Sequence, residues 1–196
     1  MTQRIGEVER STRETEISAR LVLDGTGEAS VATGIGFLDH MLSALALHAS
    51  FDLTLSCRGD LDIDDHHTAE DCAIVLGEAL RQAVGDKNGI TRFASAYAPL
   101  DEALARVVID LSGRPFAHAD LGLTREAIGA LSCENIPHFF RSFAHAAALT
   151  LHADVLRSEN DHHAAEAAFK ALALALRQAV EIRRAGAGVP STKGVL

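Results

Sequence analysis

Apolar and more polar residues alternate over Ile17, Ala19, Leu21 and Leu23, and again over Val107, Ile109 and Leu111. A period of two is that of a half-buried strand. Phe37 to Ala49 and Ile136 to Leu149 are longer apolar runs and read as helices. Phe51, Leu53 and Leu55 alternate next, as do Leu149, Leu151, Ala153 and Val155, giving a further strand in each case. Two more helices open at His66 and His162 and are predicted to run to about Val84 and Arg184. Ala167 to Ala179 is apolar nearly all round, so the last helix should be buried on several sides. Gly25-Thr26-Gly27 and Ser112-Gly113 are expected to turn hairpins after the first strand of each series.

These elements occur twice because the chain is internally repeated. Residues 19–27 match residues 105–113 at an offset of 86. Leu80-Arg81-Gln82-Ala83-Val84 recurs identically as Leu176-Arg177-Gln178-Ala179-Val180 at an offset of 96. The difference requires an insertion of about ten residues in the second half, placed here between Leu121 and Cys133. Two fused copies of one unit fit better than a solenoid, whose repeats are shorter and more numerous. The expected fold is α+β, with about four strands and two helices per half and the helices sandwiched between two sheets. The predicted organisation is a first half over residues 1–90, a second over 91–185, and a tail over 186–196, all in one compact domain.

The repeat carries chemistry. His66-His67-Thr68-Ala69-Glu70 and His162-His163-Ala164-Ala165-Glu166 are two copies of His-His-x-x-Glu, and His40 and His138 precede them by 26 and 24 residues. Residues four apart share a helix face, so His66 with Glu70, and His162 with Glu166, are positioned to hold one ion each. His67 and His163 are turned about 100° away, toward another metal or across an interface. Imidazole with carboxylate suits Mn, Fe, Zn or Ni.

Composition narrows the class. A formal net charge of −9 argues against nucleic acid as a partner. No stretch reaches transmembrane length, and the charged N-terminus does not read as a signal peptide. Three cysteines without CxxC spacing fit small core residues in a reducing cytoplasm.

Several motifs together resemble the imidazoleglycerol-phosphate dehydratase family. They are Gly34-Ile35-Gly36-Phe37-Leu38-Asp39-His40-Met41, Asp65-His66-His67-Thr68-Ala69-Glu70-Asp71, Pro99-Leu100-Asp101-Glu102-Ala103-Leu104, Asp110-Leu111-Ser112-Gly113-Arg114-Pro115, Asn160-Asp161-His162-His163 with Glu166 and Phe169-Lys170, and Pro190-Ser191-Thr192-Lys193-Gly194. They span nearly the whole chain in order. Ser158 stands where the family usually has glycine, which bears on the local turn. At this length the monofunctional form, without an added phosphatase domain, is expected.

The resemblance implies a lyase of histidine biosynthesis that dehydrates imidazole glycerol phosphate to imidazole acetol phosphate. It implies two Mn(II) ions per active site, held by His40, His66, His67, Glu70, His138, His162, His163 and Glu166. It also implies a cytoplasmic homo-oligomer, a 24-mer built from trimers, with active sites at subunit contacts. Glu14 and Glu166 are the implied acid/base groups, and Arg92, Arg114, Ser191 and Lys193 the implied phosphate contacts. Guanidinium forks match phosphate oxygens in pairs, which suits that role. Asp101 and Glu102 are candidates for groups supporting the ligands from behind.

The proton lost beside the departing hydroxyl has no neighbouring carbonyl to acidify it. The substrate's imidazole must therefore store the electrons, as an imidazolate that expels hydroxide through a diazafulvene-like intermediate. A di-metal hydrolase and a metal-storage or metal-sensing protein are the competing readings. Storage has no use for the arginine, serine and lysine of the phosphate set.

Overall fold

The computed structural model describes residues 3–183 and 188–194. The chain begins with a hairpin, β1 (Ile5–Ser11) and β2 (Thr15–Val22), and continues through β3 (Ala29–Ala32), α1 (Gly36–Ala49), β4 (Asp52–Gly59) and α2 (His66–Val84). The second half repeats the order with β5 (Phe93–Leu100), β6 (Ala103–Asp110), β7 (Phe116–Asp120), α3 (Asn135–Ala146), β10 (Thr150–Arg157) and α4 (Asp161–Val180). Between β7 and α3 lies a small hairpin, β8 (Ala127–Ile128) and β9 (Leu131–Ser132), within the stretch where the insertion was placed.

Each half forms one four-stranded sheet, ordered β1-β2-β4-β3 in the first and β5-β6-β10-β7 in the second. Three strands are antiparallel and the last, β3 or β7, runs parallel to its neighbour. This corrects the expectation of hairpin turns at Gly25–Gly27 and Ser112–Gly113. The strands after those turns cross over to pair with β4 and β10, because α1 and α3 must next be laid on the inner face. The true hairpins are β1–β2 and β5–β6, and the latter turns on Asp101 with φ +48°.

The helices lie between the sheets. α2 packs on β1 and β2, α4 on β5 and β6, and the helices meet across the halves as α2 with α3 and α1 with α4. One apolar cluster runs through both halves. Its largest wholly buried members are Phe51, Phe139, Phe140, Phe143 and Phe169, with the Phe169 ring 4.9 Å from Phe140 and 5.3 Å from Phe139. Burying one such side chain stabilises the fold by about 1.5–3 kcal/mol. α4 is buried along most of its length, as its apolar composition requires.

Two element ends differ from expectation. α3 stops at Ala146 rather than Leu149, because Ala148 takes a left-handed φ of +51° and turns the chain into β10. α4 ends at Val180, and Arg184, its expected limit, lies outside the described residues.

Candidate metal centre

Both His-His-x-x-Glu segments form the first turns of their helices. The Asn160 side chain caps α4, accepting from the His162 backbone N–H at 2.9 Å, and Asp64 accepts from the His66 N–H at 2.8 Å. Such acceptors satisfy N–H groups that have no intrahelical partner. Just upstream, Ser158 makes a local turn, its hydroxyl donating to the Asn160 carbonyl and accepting from the Asn160 N–H. A hydroxyl thus fixes the turn where glycine was expected.

The helix pairing brings histidines from one half to carboxylates of the other. His138 on α3 places Nε2 3.0 Å from Glu70 Oε1, and its ring stacks on His66 at 4.8 Å. His66 Nε2 lies 3.9 Å from Glu70 Oε2, while its Nδ1 is 2.9 Å from Asn135 Oδ1. On the other side His40 and His162 place Nε2 3.1 and 3.2 Å from Glu166 Oε2. The ligand atoms within each set of three lie within 4.8 Å of one another. Two imidazole nitrogens and a carboxylate oxygen, facing one point, are donors that fit a first-row divalent ion.

The two sets are not electrostatically alike. Lys170, one helical turn past Glu166, bonds its second oxygen at 2.6 Å. Burial opposes ionisation of Glu166, but the hydrogen bonds from Lys170 and His40 outweigh it and hold its pKa at about 2. At the repeat-equivalent position α2 carries Ile74, so Glu70 has no such lysine.

His67 and His163 join neither set within the chain. His67 Nδ1 lies 3.0 Å from Asp60 Oδ2 and its Nε2 is 3.7 Å from Glu14 Oε1, on the β1–β2 turn. His163 Nδ1 lies 2.8 Å from Glu102 Oε2, in the β5–β6 turn. The hydrogen bond to Asp60 raises the His67 pKa, and that to Glu102 raises the His163 pKa. Glu102 is drawn down to about 2 chiefly by its bond from His163.

The residues expected to hold phosphate lie elsewhere. Arg92 has φ +74° and is only 9% exposed. Its guanidinium forks onto Asp110 at 2.7 and 3.1 Å and donates to the Pro190 carbonyl at 2.8 Å. It therefore anchors the segment bearing Ser191 and Lys193, in which Ser191 Oγ accepts from the Lys193 N–H. Arg114 and Lys193 are exposed. The Arg92 N–H bonds to the Ala179 carbonyl, at the far end of α4 from Glu166. Thirteen helical residues separate those positions, about 20 Å at 1.5 Å per residue.

Sequence reasoning gave no role to Asp60, Asp65, Asn135 or Lys170. Lys170 was open to it, since a lysine four residues after a glutamate on a helix is a recognisable pair. Asp60, Asp65 and Asn135 act across tertiary contacts and leave no spacing signal.

The chain also matches known proteins along most of its length. The family model described as "Imidazoleglycerol-phosphate dehydratase" matches residues 33–176. An imidazoleglycerol-phosphate dehydratase of Phytophthora nicotianae is 61% identical over 98% of this chain, which spans 42% of that longer relative. One from Phaffia rhodozyma is 56% identical, covering 98% of this chain and 96% of its own. Among solved structures, the Staphylococcus aureus dehydratase aligns at 37% identity and TM-score 0.80, over 89% of this chain and 97% of that one. The Pyrococcus furiosus enzyme, solved in complex with (S)-C348, aligns at 37% identity and TM-score 0.83, over 96% and 100%.

Proposed function

The chain belongs to the imidazoleglycerol-phosphate dehydratase family, and from that membership we propose that it dehydrates imidazole glycerol phosphate to imidazole acetol phosphate in histidine biosynthesis. The observation that carries this reading is the pair of His/His/Glu sets, each drawn from both halves of the chain. His66, Glu70 and His138 would hold one Mn(II), and His40, His162 and Glu166 the other, with His67 and His163 supplying further ligands. Metal bound there would supply Lewis acidity toward the nitrogens of the substrate's imidazole, favouring the imidazolate whose electrons must expel hydroxide. The expected route, through a diazafulvene-like intermediate, asks the chain for a group that takes the neighbouring proton. Glu14, beside His67 Nε2 on an exposed turn, is the proposed acid/base residue, and Glu166 a second.

Phosphate would be held by Arg114, Ser191 and Lys193, with Arg92 fixing the segment that carries the last two. That set lies about 20 Å along α4 from Glu166, further than a three-carbon substrate reaches. A complete site therefore needs two copies of the chain, which favours a homo-oligomer with active sites at subunit contacts. The 24-mer of trimers is the proposed assembly. The outward face of the second sheet, where Phe93, Tyr97, Val108 and Phe116 are exposed, suits such a contact. No helix among the described residues is long and apolar enough to cross a membrane. A cytoplasmic location is proposed with the pathway.

The test is steady-state dehydration of imidazole glycerol phosphate after chelation, with and without Mn(II) returned. Restored turnover is expected. No turnover, with Mn(II) rebound and the assembly intact, would remove the activity and leave a metal-storage protein.

A further inference from the structure

The six histidines of the two repeats are oriented in different ways. His40, His138 and His162 point Nε2 straight at the carboxylate of their own set. His66 is held from behind by Asn135 at Nδ1. His67 and His163 have no glutamate of a set to face, and each is held at Nδ1 by a carboxylate from outside its helix, Asp60 and Glu102 respectively. A neutral imidazole that donates Nδ1–H to a carboxylate leaves its Nε2 lone pair outward and makes that nitrogen more basic.

From this geometry we infer that Asp60 and Glu102 are the positioning residues of the metal centre, each fixing the ring and tautomer of the one histidine that its own chain leaves outside a three-ligand set. The inference rests on the metal-dependent reading above and deepens it. The two carboxylates are not copies of one another. Asp60 follows β4, whereas Glu102 sits in the β5–β6 turn. By strand register the counterpart of Asp60 is Ser158, which makes only a local turn, and that of Glu102 is Glu14, whose Oε1 lies 3.7 Å from His67 Nε2. The turn glutamate thus reaches the second motif histidine in both halves, at Nε2 of His67 and at Nδ1 of His163, whereas Asp60 is particular to the first half.

Asp101, Glu102 and His163 also lie close enough to hold an ion by themselves. Occupation of Nδ1 by Glu102 at 2.8 Å favours support over ligation.

The experiment measures Mn(II) binding to the full-length chain by titration calorimetry and by the electron paramagnetic resonance signal of free Mn(II), with assembly mass followed by native mass spectrometry. The variants are Asp60→Ala, Asp60→Asn, Glu102→Ala and Glu102→Gln, each also placed in a His67→Ala or His163→Ala background. The alanine variants should bind Mn(II) about 10- to 100-fold more weakly, the usual cost of losing a group behind a ligand. The amides keep an acceptor oxygen and should recover most of the affinity. In the matching histidine-deleted background the carboxylate should no longer matter, because it acts only through that ring. An Asp60 or Glu102 effect that persists without its histidine, or no effect in the intact chain, would overturn the inference. So would a Glu102→Gln chain that loses a whole equivalent of metal, which makes Glu102 a ligand. Failure of the parent chain to bind Mn(II), or indifference to His67→Ala and His163→Ala, would instead sink the metal-dependent reading itself.

Discussion

Asp65 and Ser132 are joined twice, the carboxylate accepting from the Ser132 backbone N–H at 2.6 Å and from its hydroxyl at 2.8 Å. Asp161, opening α4, does the same for the other end of this segment, accepting from the N–H groups of Thr124 at 2.8 Å and Arg125 at 2.6 Å. One aspartate precedes His66 and the other precedes His162. The insertion between Leu121 and Cys133 is therefore a strap clipped to the head of both His-His-x-x-Glu helices.

Removing a clip should loosen both sets together. Asp161→Ala removes two hydrogen bonds to the N–H groups of Thr124 and Arg125, each worth about 0.5–1.5 kcal/mol. Urea unfolding should report the loss, and Mn(II) binding should weaken although no ligand has changed. Burial opposes ionisation of Asp65 and Asp161, yet their hydrogen bonds prevail and lower both pKa values. Lowered carboxyls contribute stability above the ordinary value of 3.8, and that contribution is lost as pH falls through the lowered values. The metal-free double variant Asp65→Ala/Asp161→Ala should lose less stability between pH 7 and pH 3 than the parent. Equal losses would show that the clips do not govern acid sensitivity.

Gly77 sets the spacing of α2 and α3. A Cβ there would stand 2.6 Å from the Phe143 carbonyl oxygen and 2.8 Å from Ala146 Cβ, so the helices approach more closely than any side chain permits. Gly77→Ala should force them apart and with them Glu70 and His138, which sit on the same two helices. Mn(II) affinity is expected to fall at the His66/Glu70/His138 set and to hold at the other. A crystal structure of the variant should show the Glu70 Oε1 to His138 Nε2 distance longer than 3.0 Å.

Lys170 is expected to keep Glu166 ionised in the metal-free protein. In Lys170→Ala, the Glu166 carboxyl, followed by carbon-13 NMR, should titrate above about 2 and toward the ordinary 4.5. The stabilisation that Glu166 provides is present above 4.5 and fades as pH falls toward 2, and the variant should lack part of it. A titration unchanged by the substitution would assign the shift to His40 alone.

Protons and metal compete at His67 and His163. The bonds to Asp60 and Glu102 raise their pKa values above 6.5, so in the metal-free protein they contribute stability below 6.5 that is lost as pH rises through the raised values. Metal requires neutral imidazole. Mn(II) affinity should therefore climb as pH rises past 6.5, with protons released on binding. Calorimetry in buffers of different ionisation enthalpy measures that release, and a heat independent of buffer near pH 6.5 would contradict it.

The ligand types, their pairing four apart and the duplication were all legible in the sequence, because helix periodicity is local and a repeat copies spacing along with residues. The same locality put α1 and β4 close to their observed bounds and placed the insertion. It failed where an element's partner is chosen by the rest of the fold. The turn at Gly25 looks like a hairpin turn whether the next strand pairs beside β2 or crosses to β4. From the sequence Arg92 stands out only as a phosphate contact, and its anchoring bonds to Asp110 and the Pro190 carbonyl join residues far apart in the chain.

By itself the sequence picked out the histidines and glutamates of the two motifs and showed that they come as two matching groups. Only the tertiary structure decided that His138 belongs with Glu70 and His40 with Glu166, since that pairing follows from α2 packing on α3 and α1 on α4. It also decided that Asp60 and Glu102 stand behind His67 and His163, and that Arg92 lies at the opposite end of α4 from Glu166. Each of these is a distance between residues far apart in the chain. Such distances are fixed by burying the apolar faces of four helices between two sheets, and no spacing along the sequence encodes them.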